Sequence, residues 1–261
     1  MTDTSRTPAP RILAIANQKG GVGKTTTTIN LGAALAEVGK RILLVDLDPQ
    51  GNASTGLGID QAARDITTYE LIAGDATPEE AIQTTNVENL WIIPATTDLS
   101  SADIELISNE KRSYLLRDAL RQTPMDSFGF EYILIDCPPS LNILTVNAMV
   151  AADGVVVPLQ SEFFALEGLS QLMLTIRDIR ETANKNLRIE GIALTMYDKR
   201  NNLSQQVEAD ARENLGELVF KTVIPRNVRL SEAPSFAAPV LTYDPTSKGS
   251  LAYRALAKEL L

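Results

Sequence analysis

The sequence predicts a doubly wound α/β fold, a mostly parallel sheet flanked by helices on both faces. Three observations point there. Short apolar runs alternate with amphipathic stretches along the whole chain, and βαβ spacing of that kind requires parallel strands joined by crossover helices. A turn with three glycines in four positions, Gly20 to Gly23, separates the first apolar run from the first helical stripe. Two further apolar runs close on a carboxylate, Asp46 and Asp136. In open parallel sheets the C-terminal strand ends face the ligand crevice.

In chain order, Ile12 to Ala16 reads as a buried strand. Thr26 to Glu37 follows as a helix, with Ile29, Leu31, Ala34, Leu35 and Val38 on its stripe and Gly39 ending it. Arg41 to Asp46 is a strand that opens into the loop Leu47-Asp48-Pro49-Gln50-Gly51-Asn52. Between 53 and 130 the pattern is thinner. Thr68 to Ala73 and Pro78 to Gln83 read as short helices, Leu90 to Ile93 as a strand, and Ser113 to Arg121 as a helix. Nothing between 60 and 110 carries a motif, and Trp91 reads as core. Phe130 to Asp136 is the next strand, then a helix from Asn142 to Ala151 and a strand from Gly154 to Leu159. A loop over 160–168, a helix over 169–182, a strand over 189–196, a helix over 203–215, a strand over 219–224 and a closing helix over 250–260 complete the alternation. The organisation expected is a polar arm over 1–10 and one domain over 11–261.

The chain has 261 residues and 44% hydrophobic content, enough for a substantial core. No 18-residue apolar run suggests a membrane span, and the polar start lacks an apolar signal region, so a cytoplasmic location is expected. With one cysteine and no histidine, an intrachain disulfide, a His–Cys zinc site and a histidine base are excluded. Any chemistry must rest on carboxylates, lysines, backbone amides and a metal ion. Cys137 alone cannot supply a cluster and reads as structural. Net charge is −9, yet residues 197–261 hold nine of the 24 Lys and Arg and only eight of the 33 Asp and Glu. A locally basic face would therefore lie toward the C-terminus.

Strand, glycine-rich turn, Lys24-Thr25 and helix in that order make a P-loop, whose backbone amides and helix N-terminus cradle phosphate. Lys24 should reach the terminal phosphates and the Thr25 hydroxyl should sit on Mg²⁺. The strand ending in Asp136-Cys137-Pro138-Pro139 has the Walker B form, its carboxylate holding Mg²⁺. The P-loop departs from the common pattern: Gln18 stands where a glycine is usual, and a second lysine, Lys19, follows it.

In these motifs the chain resembles the deviant Walker A ATPases, and among them the ParA/Soj chromosome- and plasmid-partitioning proteins, in the short form without an N-terminal DNA-binding extension. Four blocks carry the resemblance: Asn17 to Thr26, Val45 to Asn52, Ile135 to Ser140 and Ile224 to Ser235. It implies a P-loop ATPase that uses ATP and Mg²⁺ and forms a homodimer with ATP. Lys19, Gly20, Gly21, Val22, Gly23, Lys24, Thr25 and Thr26 would bind the nucleotide, with Pro225 and Asn227 lining the adenine pocket. Lys19 would cross the dimer interface to the partner's ATP, and Gly20 would lie where two P-loops face. Lys24 and Asp48 would join Lys19 in catalysis, Asp48 orienting the attacking water, while Thr25 and Asp136 serve the metal. Arg200 and Arg229, with Lys248 as a further candidate, would contact the phosphates of double-stranded DNA without sequence preference. Ala237-Ala238 stands where many relatives have Gly-Lys, which removes a cation from that face. The implied partner is a ParB-type centromere-binding protein, and the implied location is the nucleoid. Two alternatives differ in class. A MinD-like cargo-positioning ATPase would need a basic amphipathic tail, whereas residues 251–261 are short and carry two cations. A metabolic P-loop ligase would need substrate-pocket residues that the Ile224 to Ser235 block does not supply.

Overall fold

The computed structural model of the chain describes residues 9–105, 109–162 and 165–261; of the expected arm, residues 1–8 lie outside it. Seven strands are described: β1 (Arg11–Ile15), β2 (Ile42–Asp46), β3 (Gln83–Thr84), β4 (Leu90–Ile93), β5 (Tyr132–Asp136), β6 (Gly154–Gln160) and β7 (Arg188–Thr195). They form one sheet in the order β3-β4-β2-β5-β1-β6-β7. Every pairing is parallel except β3 with β4. The expected doubly wound architecture is the one observed.

Strand side chains alternate between two cores, as a period of two demands. Ile12, Ala14, Leu43 and Val45 join one cluster, with Leu144, Met149, Leu172 and Ile176 from helices on that face. Leu13, Ile15, Ile42 and Leu44 join the other, against Ile29, Leu35, Tyr253 and Leu256. A sheet buried on both faces accounts for the near-continuous apolar runs.

The helix α1 (Lys24–Glu37) is buried on nearly every side. Its inner face meets the sheet, and the closing helix, Lys248–Leu260, covers the outer face with Tyr253, Leu256 and Leu260. The Tyr253 and Thr27 hydroxyls share a hydrogen bond of 3.2 Å at that seam. Val38, expected on the buried stripe, is instead half exposed just past the helix end.

Several boundaries move. The expected strand over 219–224 is absent. Phe220 and Ile224 do donate backbone hydrogen bonds to Ile192 and Leu194 of β7, but the intervening Lys221 and Thr222 amides turn to the Glu259 carboxylate, 2.7 Å each. That diversion breaks the ladder. The helix expected over 78–83 ends at Ala81, and Gln83 enters β3. The helix expected from 169 begins at Ala165. Trp91 is half-buried: it meets Phe130 edge-on and carries the Arg41 guanidinium over its ring at 4.5 Å. Between β2 and β5 the structure adds elements with no sequence signal, among them the short helix α2 (Asn52–Gly56).

Candidate nucleotide and hydrolysis site

The glycine-rich turn hangs from the C-terminal end of β1, which lies between β5 and β6. It is braced by three hydrogen bonds. Asn17 donates to the Pro158 carbonyl at 2.8 Å and accepts from the Lys19 amide at 3.0 Å. Thr195, at the end of β7, donates to the Val22 carbonyl at 2.8 Å. Gly23 precedes α1 at φ 89°, a left-handed conformation that disfavours side chains. No side chain caps α1, so its first amides are left to receive an anion, and the helix dipole favours one there.

Two carboxylates lie beneath this turn. Asp46 and Asp136 face each other in register at the ends of β2 and β5, and both are fully buried. Asp46 is well served: its Oδ2 accepts from the Ser54 amide and hydroxyl at 2.8 and 2.7 Å, its Oδ1 from the Asp48 amide at 3.3 Å. Asp136 is not. Thr28 donates to its Oδ1 at 3.1 Å, but Oδ2 is buried without a hydrogen-bond partner, alone in this among the described residues. Burial pushes Asp46 up to about 6 against the pull of Ser54. Burial, with Asp46 beside it, lifts Asp136 well above the usual carboxylate range, although the Thr25 and Thr28 hydroxyls draw it back. Lys24 is a counter-charge to Asp136. Its buried ammonium donates to the Lys19 carbonyl at 3.1 Å, and burial lowers its pKa while Asp136 and Asp48 oppose the shift. An orphaned carboxylate oxygen beside a threonine hydroxyl fits a hydrated Mg²⁺, which prefers few carboxylates and several waters. Thr25 and Asp136 are the residues that would hold it.

Asp48, two residues past β2, is also buried. Its Oδ1 accepts from the Gln50 amide at 3.0 Å, which fixes the carboxylate on its own loop. Pro225 and Asn227 line a cavity of about 560 Å³ together with Gly23, Thr26, Thr195 and Met196, so the two distant motifs do meet. The Lys19 ammonium pairs with Glu162 at 3.1 Å near the surface. Gly20 is exposed, and a Cβ added there would meet only Pro139, at 3.9 Å. Cys137 is buried, and burial pushes its thiol up, as a structural role expects.

The expected DNA-contacting residues do not themselves line this cavity, although Val228 and Leu230 on either side of Arg229 do. A bridge between Tyr197 and Pro225 brings the Arg200 turn to the Arg229 segment. Arg200 is highly exposed and pairs with Asp198 at 2.9 Å, whose carboxyl it pulls down to about 2. Arg229 is held by Glu232 at 2.8 Å and Asp244 at 3.3 Å. Lys248 is exposed at the first residue of the closing helix.

A family profile described as an AAA domain matches residues 10–189. The chain is 58% identical over 251 residues to "Chromosome partitioning protein ParA" of Caulobacter vibrioides, covering 96% of this chain and 94% of that one. It is 52% identical to "Sporulation initiation inhibitor protein Soj" of Bacillus subtilis, covering 96% and 98%. The chain belongs to the ParA/Soj family of partitioning ATPases. Its fold also matches a solved structure of cobyrinic acid a,c-diamide synthase from Mycobacterium smegmatis with bound ADP and magnesium, at TM-score 0.84 and 40% identity over 96% and 94% of the two chains.

Reading the ParA/Soj motifs in sequence misses the residues that brace them. Ser54 and Thr195 bond into the site from outside the quoted blocks. Asn30 links the Thr26 carbonyl, at 2.7 Å, to the Val240 amide, also at 2.7 Å. Asn30, one of several polar residues on α1, carried no separate signal.

The sign of the pH dependence follows from the raised carboxylates. Folding lifts Asp46 and Asp136 above the usual 3.8, so the folded state holds more protons. Their burden is absent below about 3.8 and grows as pH rises through the folded values, about 6 for Asp46. Asp136→Asn should therefore stabilise the nucleotide-free protein by an increment that grows with pH, with a slope of up to about 1.4 kcal/mol per pH unit for each proton released. The same variant should lose the thermal stabilisation conferred by Mg²⁺ with nucleotide. Melting curves from pH 5 to 8, with nucleotide and with EDTA, check both; a pH-independent difference or a retained Mg²⁺ response contradicts the reading.

Proposed function

We propose that this ATPase closes on ATP and Mg²⁺ into a face-to-face dimer, binds duplex DNA non-specifically in that form, and is released when a ParB-type partner drives hydrolysis. One observation supports it above others: Gly20 is exposed and the Lys19 ammonium lies in a surface pair with Glu162, while Lys24 is buried at the start of α1. A cation at the surface can serve a second copy's phosphates, much as an arginine finger does. The family's named partitioning relatives support the cargo, at higher identity than the diamide synthase. The nucleoid is the location that follows.

In this reading the glycine turn and the α1 amides hold the phosphates, and Pro225 and Asn227 receive the adenine. Lys24 gives up the Lys19 carbonyl for the terminal phosphate. Bound Mg²⁺ supplies positive charge at the terminal phosphates, held by Thr25 and Asp136. Asp48 accepts a hydrogen bond from the attacking water and orients it in line. Lys19 leaves Glu162 for the partner's site. That ion pair is exposed on both sides, and such pairs contribute about 0–1 kcal/mol, so its loss is no obstacle. Arg200, Arg229 and Lys248 then face DNA phosphate, with Arg229 shared between phosphate and its two carboxylates.

Lys24→Ala should lose ATP binding, whereas Asp48→Ala should bind ATP, remain a dimer and lose turnover by roughly 10²–10⁴-fold. Size-exclusion chromatography with ATP separates the two; a monomeric Asp48→Ala would show that Asp48 does other work.

Arg229→Ala should leave ATP-dependent dimerisation intact and weaken DNA binding equally on unrelated duplexes. A dimer presents the residue twice, so the slope of log affinity against log salt should flatten by about 1.8. Fluorescence anisotropy across a salt series reads this. Unchanged affinity, or a loss confined to one duplex, would remove Arg229 from the DNA face.

A further inference from the structure

The loop that carries Asp48 is gripped from its far side by one guanidinium. Nη1 of Arg64 donates to the Ala95 carbonyl at 3.0 Å and to the Gly51 carbonyl at 3.4 Å. Nη2 donates to the Ile59 carbonyl at 2.7 Å and to the Thr55 hydroxyl at 2.8 Å, while Nε donates to Ile59 at 3.2 Å. These acceptors belong to the Asp48 loop, to α2 and the turn after it, and to the residue that follows β4 by two. A planar fork with five donors can tie such segments together; an ammonium cannot.

The path from that grip to the carboxylate is short. The Gly51 amide donates to the Asp48 carbonyl at 2.8 Å, and the Gln50 amide to the Asp48 carboxylate at 3.0 Å. The guanidinium packs directly on Gly51: a Cβ built there would lie 2.4 Å from Nη1 and 2.8 Å from the Ala95 oxygen. Gly51 holds φ 60° at this spot. On its inner side the loop is fixed by Ser54, which bonds Asp46 and accepts from the Ala95 amide at 3.0 Å. Arg64 is therefore the outer of two clamps, and Ala95 is common to both. Its own side chain is half-buried and borders an open cavity with Pro49 and Gln50, outside both hydrophobic cores.

We propose that Arg64 is a positioning residue for hydrolysis, acting through Gly51 to hold the Asp48 carboxylate where the attacking water binds. The proposal rests on the reading that Asp48 orients that water. A misplacement of about 1 Å at such a group costs on the order of 10²-fold in rate.

Arg64→Ala should lower kcat for ATP by 10- to 100-fold in the presence of Mg²⁺ and duplex DNA, with KM for ATP and the affinity for a fluorescent ATP analogue unchanged within about two-fold. Arg64→Lys should recover part of kcat, because it keeps a cation with three donors on this loop but cannot bond every acceptor that the fork does. Arg64→Ala combined with Asp48→Ala should turn over no more slowly than Asp48→Ala alone. Wild-type kcat in Arg64→Ala overturns the proposal, as does a loss confined to KM or multiplicative losses in the double variant. If Arg64→Ala does not fold, the same split between kcat and KM is read in Arg64→Lys. Full turnover by Asp48→Ala fails the underlying reading instead, and is distinguished because it is seen with Arg64 intact.

Discussion

Two carboxylates brought into register in a dry interior are the constraint on which the rest of this structure depends. Asp46 and Asp136 end adjacent parallel strands, so the backbone ladder that builds the sheet also forces the like charges together. A buried ionised carboxylate costs several kcal/mol unless it is paired or hydrogen-bonded. The chain answers the two differently. Asp46 is satisfied by its own loop through Ser54 and the Asp48 amide and so becomes a structural post. Asp136 is left with an oxygen unserved, and under the proposed function that oxygen is where a cation would sit. The asymmetry would then divide labour between loop positioning and metal holding.

The surrounding elements follow from where that pair sits. The glycine turn passes above it with only Val22 between its glycines, and it is steadied by the Asn17 bond to Pro158 of β6 and by Thr195 at the end of β7. The α1 helix must present its first turn to the same point, and the closing helix must then bury its outer face. Asn30 and Tyr253 carry polar contacts across that seam. Asn30 bonds both the Thr26 carbonyl beside the phosphate turn and the amide that starts the segment leading to Asp244. The phosphate cradle and the Arg229 ion pairs are thus joined through one buried side chain.

Much of the fold was legible because the strands are buried on both faces. Apolar runs such as Ile42 to Val45 have no other reading once Gly20 to Gly23 and Asp136 set the spacing. Just after β2 the pattern was not legible, since α2 is too short to show a period and is held by Ser54 and Arg64 bonds that no local pattern marks. The helix at Thr68–Ala73 and the strand at Leu90–Ile93, by contrast, stand where the sequence places them. Residues 219–224 have the composition of a strand but lose their ladder to Glu259, a residue near the other end of the last helix. No local pattern could reveal that. In the site, the motif residues were all visible, whereas the bracing residues sit at ordinary serines, threonines and one arginine. Of the carboxylates that pair Arg229, Glu232 stands three residues on in the same block, whereas Asp244 becomes a neighbour only in the fold.

Under the proposed function a single chain holds an incomplete site, and Lys19 is the group it lends to its partner. Mixing two inactive variants tests this most directly. Lys19→Ala and Asp48→Ala proteins, each nearly silent alone, are combined in equal amounts with ATP, Mg²⁺ and DNA, and phosphate release is measured. In a mixed dimer the Lys19→Ala protomer keeps its own Asp48 and receives Lys19 from the other, so one site in two is whole. The expected result is recovered turnover, peaking near equal proportions. A mixture no faster than either variant alone would mean that Lys19 serves its own chain, and the face-to-face account would fall.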